Sequence, residues 1–175
     1  MIYKFIDIPE HEIISKKIYN YIVDKTDILS GTAIWNWANT LEILELIPEL
    51  KLSLENLNLE AQQISIIKAN PRANLRIHID YDREPRMLWP ICNCQGSYTK
   101  FFNVEKDNIQ KQIGIKGDIY YLIMNPESAK QIDQLELTQP VIFDPSIPHG
   151  VWTNTEFDEP RISMTIKFKT LVELL

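Results

Sequence analysis

The spacing of the apolar residues changes near residue 60 of this chain, and that change limits the folds open to it. Between about residues 10 and 60, after a short first strand, they recur at helical intervals. Ile13, Ile14, Ile18, Tyr21 and Ile22 mark a helix from Glu10 to about Asp27. A second helical region runs from about Thr40 to Leu57, interrupted or kinked at Pro48. Beyond it the period falls to two. Strands are expected at Gln63–Lys68, Leu75–Asp80, Met87–Cys94, Thr99–Val104, Ile119–Met124, Pro140–Phe143, His149–Asn154 and Arg161–Lys169, after an earlier one at Ile2–Ile8 stopped by Pro9. Turns fall at Cys94–Ser97, Lys116–Asp118, Asp144–Pro145 and Asp158–Pro160, and Asn125–Ile132 reads as a loop with a short helical turn. Helices followed by strands predict a mainly β chain in which the helices cover one face of a sheet or barrel. With 175 residues, one domain (1–175) is expected, residues 1–60 supporting a β core at 61–175.

Charge and cysteine usage narrow the function classes. A net charge of −6 opposes nucleic acid as the main partner, which requires a basic face. No run is long and apolar enough for a membrane span, and the first ten residues lack the apolar core of a signal peptide, so the expected compartment is cytoplasmic. Cys92 and Cys94, two apart on a strand, suit neither a disulfide nor a zinc site and read as reduced packing residues. His11-Glu12 lacks the second histidine of a metalloprotease helix, since position 15 is Ser15.

The chemistry gathers in the β half. In Leu75-Arg-Ile-His-Ile-Asp80 strict alternation puts Arg76, His78 and Asp80 on one strand face, and Leu75, Ile77 and Ile79 on the other. An imidazole and a carboxylate two residues apart therefore point the same way. His149 follows Pro148 where another strand begins, 71 residues on (149 − 78). Two histidines and one carboxylate are the donor set of the facial triad that holds non-haem Fe(II) and leaves metal positions open. Twelve residues later (161 − 149), Arg161 shares a face with Ser163, Thr165 and Lys167. Its guanidinium is permanently charged and matches a carboxylate with two parallel hydrogen bonds.

His78-x-Asp80, His149 and Arg161-x-Ser163, in that order, resemble the Fe(II)/2-oxoglutarate-dependent oxygenase superfamily with its double-stranded β-helix (jelly roll, cupin-like) fold. More narrowly, His78 through Phe102 and Ile147-Pro-His-Gly-Val151 are similar to small bacterial and phage members near the prolyl and aspartyl hydroxylases. The resemblance spans about residues 70–170. It implies His78, Asp80 and His149 as ligands of Fe(II), and Arg161 with Ser163 on the far carboxylate of the cosubstrate 2-oxoglutarate. A middle-strand residue completes that carboxylate site in some relatives; Tyr98, Thr99 and Asn93 are the candidates here, with Tyr98 carried forward as cofactor-binding. Arg86 is a further polar candidate near the site mouth. The implied activity is that of a dioxygenase hydroxylating an unactivated C–H bond of a small-molecule or peptidyl substrate with dioxygen. Asp80 favours this over halogenase relatives, which have a small residue there.

Each feature has an ordinary alternative. His78 and Asp80 form a hydrogen-bonded pair on a wet sheet face, His149 is a turn histidine after proline, or Arg161 pairs with Asp158 or Glu159 at the surface. The rival functions are a cupin-like metalloprotein that does not use 2-oxoglutarate, and a non-catalytic binding module on the same fold. Trp89, Trp152, Tyr120 and Tyr121 read as core, Trp152 facing away from His149. Ile77, Ile79, Ile162, Met164 and Ile166 are expected to face the helices.

Overall fold

The computed structural model describes residues 1–25, 35–71, 76–80, 84–113, 119–154, 156 and 158–169. Among the described residues of the first third lie three helices, α1 (His11–Asp24), α2 (Thr40–Leu46) and α3 (Pro48–Asn56). Ile14, Ile18 and Ile22 recur every fourth residue along α1 and are buried, the stripe by which an amphipathic helix docks on a sheet. The Asn39 side chain caps α2 by accepting from the Glu42 N–H at 3.2 Å. Pro48 ends one helix and starts the next, because a missing N–H is harmless in a first helical turn. The second helical region is thus two helices.

Most of the other described residues form two six-stranded antiparallel sheets. The first contains β1 (Tyr3–Phe5), β2 (Trp35–Trp37), β3 (Ala61–Ala69), β5 (Arg86–Cys92), β10 (Val141–Phe143) and β12 (Arg161–Phe168), in the order β1-β10-β5-β12-β3-β2. The second contains β4 (His78–Asp80), β6 (Tyr98–Asn103), β7 (Ile109–Ile113), β8 (Ile119–Ile123), β9 (Lys130–Glu136) and β11 (His149–Trp152), in the order β7-β8-β4-β11-β6-β9.

Alternation along β12 explains the layering. Ile162, Met164 and Ile166 join Ile14, Ile18, Ile43, Leu50 and Trp89 in the large core between the first sheet and the helices. Each such side chain contributes roughly 1.5–3 kcal/mol on burial, before entropy is subtracted. On the opposite face of the first sheet, Ile67, Leu88, Val141 and Phe143 meet Phe101 and Leu135 of the second sheet and form a separate inter-sheet core. The space between the sheets is where β4, β11 and β12 present their polar side chains.

Several expectations are corrected. Ile77 does not face the helices: it clusters with Phe102 and Ile123 on the outer side of the second sheet, and Ile79 shares its strand face. The first strand is three residues, Tyr3–Phe5, because it is an edge that pairs only with β10. Lys130–Glu136 is a strand where a loop is expected through Ile132, and β2 and β7 have no counterpart in the sequence reading. β2, β7 and β9 are sheet edges. Only Leu135 is buried in β9 and nothing in β7, so the apolar alternation that marks a strand is missing there. Leu75, the Lys116–Asp118 turn, the helix end beyond Lys25 and the Tyr120 side chain lie outside the described residues. Among the described residues no helix is long and apolar enough to cross a membrane.

Candidate metal centre and its anion pocket

β4 is three residues long but lies inside the second sheet, between β8 and β11. Alternation turns His78 and Asp80 towards the first sheet and Ile79 away. β11 runs antiparallel beside it, and His149 is the direct cross-strand partner of His78. Side chains at opposed positions share a face, and the two imidazole rings lie 4.6 Å apart, centroid to centroid. Ligating atoms of His78, Asp80 and His149 all fall within 4.8 Å of one another.

The histidines are oriented in the same way. Nδ1 of His78 lies 2.8 Å from the Arg76 carbonyl, and Nδ1 of His149 lies 2.8 Å from the Ile147 carbonyl. A carbonyl can only accept, so each Nδ1 carries a proton, and Nε2 is the atom of each ring left to face a metal. Phe101 and Phe143 pack round the His149 ring at 6.3 and 5.4 Å and wall it from water. Burial, helped by the charge of His78, pushes His149 down to about 4, which leaves it neutral. For His78 burial acts downward too, but the hydrogen bond and charge of Asp80 outweigh it and raise the pKa. Burial alone would raise Asp80; His78, His149 and Arg86 hold it at about 2, so its carboxylate is ionised. Its Oδ1 faces His78 Nε2 at 3.4 Å, and its Oδ2 faces Arg86 Nη1 at 3.4 Å.

Across the inter-sheet space lies Arg161, on β12 of the first sheet. It lines the same cavity as His78, Asp80 and His149, together with Thr99 and Thr165. Ile67, Leu88, Phe143 and Val151 form the apolar walls. Arg161 is 2 % exposed, so the surface ion pair with Asp158 or Glu159 does not form. Nη1 donates to Ser163 Oγ at 3.2 Å, while Nε is buried without a partner. Burial pushes the guanidinium pKa down, with the nearby Cys94 thiol acting against it. Among the described residues no carboxylate pairs with it. A buried cation left this way is costly unless an anion joins it. Thr99 Oγ1, on the same cavity, is likewise buried without a partner.

The sequence candidates therefore separate. His78, Asp80, His149 and Arg161 come together round one cavity, and Ser163 braces the guanidinium from behind. Tyr98 does not join them. On β6 the inward positions are Thr99 and Phe101, and Tyr98 takes the outer face with Lys100, whose Nζ sits 4.8 Å from the Trp152 ring. Asn93 is a turn residue with φ 52°, its amide donating to the Pro160 carbonyl at 3.1 Å. Of the middle-strand candidates only Thr99 reaches the cavity. Thr165 is a further hydroxyl there; its signal was its place on the Arg161 face of β12. Val151, two residues after His149, had the same kind of signal.

No family model and no curated protein matches the sequence. Solved structures do match in three dimensions. The epimerase SnoN in complex with Fe3+, alpha ketoglutarate and nogalamycin RO superposes with a TM-score of 0.52 at 11% identity, over 94% of this chain and 77% of that one. The non-haem alpha ketoglutarate dependent carbocyclase SnoK gives 0.55 at 12% identity, over 95% and 78%. A Pseudomonas putida prolyl-4-hydroxylase gives 0.51 at 13% identity, over 95% and 90%. The fold is the double-stranded β-helix. In this double-stranded β-helix the helices pack on the outer face of the first sheet, and the cavity opens between the two sheets.

Proposed function

We propose that this chain is an Fe(II)- and 2-oxoglutarate-dependent dioxygenase that hydroxylates an unactivated C–H bond of a small-molecule or peptidyl substrate. The observation that carries the reading is Arg161: a buried guanidinium with no acidic partner among the described residues, on the cavity shared by two histidines tied through Nδ1 to backbone carbonyls and an ionised carboxylate. The donor set fits Fe(II): two imidazoles, which bind a metal through Nε2 in the neutral form, and one carboxylate, leaving metal positions open. The unpartnered Arg161 Nε and Thr99 Oγ1 fit a dianionic cosubstrate. Structures of the same fold include one that contains iron with alpha ketoglutarate and one that depends on the latter, which supports the choice of metal and cosubstrate.

In this reading His78, Asp80 and His149 hold the iron, and Arg161 takes the far carboxylate of 2-oxoglutarate with Thr99 beside it. The bound pair supplies oxidative decarboxylation to succinate and carbon dioxide, coupled to insertion of one dioxygen atom into a C–H bond. Ser163 fixes the direction of the guanidinium. The Ile147 and Arg76 carbonyls orient both histidine rings, Phe143, Leu88 and Val151 give the cavity apolar walls, and Phe101 packs on His149.

The test is anaerobic titration of the Fe(II) protein with 2-oxoglutarate, following the charge-transfer band that chelation produces. Arg161→Ala should retain Fe(II) and weaken 2-oxoglutarate by roughly 2–5 kcal/mol, the range for truncating one partner of a buried charge pair. Arg161→Lys should recover part, keeping the charge and losing the fork. Equal binding by Arg161→Ala, or no succinate from the wild-type protein with iron and 2-oxoglutarate, would overturn the reading in favour of a cupin-like metalloprotein.

A further inference from the structure

The two oxygens of Asp80 have different neighbours. Oδ1 looks into the histidine pair, at 3.4 Å from His78 Nε2. Oδ2 looks at Arg86 Nη1, also at 3.4 Å, and both side chains are largely buried, 12% exposed for Arg86 and 15% for Asp80. Arg86 does not come from the strand it touches. It opens β5 in the first sheet, where its backbone position is fixed by pairing with Phe143 of β10. Asp80 ends β4 in the second sheet. The ion pair therefore bridges the layers beside the metal-binding cluster and occupies the carboxylate oxygen that His78 does not face.

That matters because a carboxylate can bind a metal through one oxygen or two. A six-coordinate ion held by two imidazoles and one oxygen keeps three positions for exogenous ligands; chelation by both oxygens removes one of them. We propose that Arg86 is a positioning residue: by engaging Oδ2 it restricts Asp80 to a single-oxygen ligand and keeps the third position open. The proposal rests on the metal centre put forward above. Arg86 is suited to the part because its guanidinium stays charged and its planar fork holds a carboxylate oxygen in direction as well as distance.

The experiment uses Mn(II) alone, bound to the full chain, with water-proton relaxation as the readout at matched metal occupancy. The wild-type protein should show the relaxivity of three exchangeable waters. Arg86→Met should fall to about two-thirds of that value as Asp80 turns both oxygens to the metal. Arg86→Lys, which keeps a charge for Oδ2, should return towards wild type. If Arg86→Met does not fold, Arg86→Gln makes the same comparison, since its amide ends short of Oδ2. Wild-type relaxivity in the folded Met or Gln variant would overturn the proposal and leave Arg86 as a cross-sheet ion pair, visible only in thermal stability. Failure of the wild-type protein to retain Mn(II) would instead remove the metal centre itself, and the proposal with it.

Discussion

Thr99 and Tyr98 are adjacent in sequence and opposite in consequence. Thr99 Oγ1 is buried on the cavity without a partner, so a cosubstrate carboxylate would be its natural acceptor. Thr99→Val, which keeps the shape and removes the hydroxyl, should weaken 2-oxoglutarate by roughly 1–3 kcal/mol in the anaerobic titration, as for a lost hydrogen bond to a charged group. Tyr98→Phe should leave it unchanged. The reverse result would return the role to Tyr98. At this scale the sequence was legible wherever alternation alone decides a face: His78 with Asp80, and Arg161 with Ser163, needed only the period of a strand. Choosing between Thr99 and Tyr98 needed to know which side of β6 looks at the other sheet, and that is a property of the assembled layers.

Elements join through single residues as much as through apolar stripes. Ser15 on α1 accepts from the Trp89 indole N–H at 2.9 Å, and its hydroxyl lies 2.7 Å from the Pro90 carbonyl, both on β5. Ser15→Ala should destabilise the fold by about 1–3 kcal/mol, because the fully buried indole N–H loses its acceptor. In a double-mutant cycle by chemical denaturation, much of that loss should vanish in a Trp89→Phe background. Additive effects would show that the hydrogen bond contributes nothing. The sequence marked Ser15 only as the position where a second metal-binding histidine was missing. Strands with a buried face were legible, and so was the break at Pro48. β2, β7 and β9 were not, since an edge strand is held by backbone pairing that leaves little trace in side-chain pattern.

For the whole molecule, helices covering one face of a β core were legible in outline, because helical spacing gives way to strand spacing near residue 60. The partition of strands between sheets was not, since β4 pairs with β8 and β11, both far along the chain. That long-range pairing has a kinetic side. The site exists only after His78 finds a partner 71 residues away, a closure whose entropy is spent before its contacts form. A metal that needs both histidines has little to bind in the transition state. Mn(II) should therefore leave the refolding rate unchanged and slow unfolding, by an amount equivalent to about 2.7 kcal/mol at a hundredfold excess over its dissociation constant. Stopped-flow refolding that accelerates with metal would place the β4–β11 pairing early instead. A chain made without metal would reach the same fold at the same speed, and have a shorter lifetime in it.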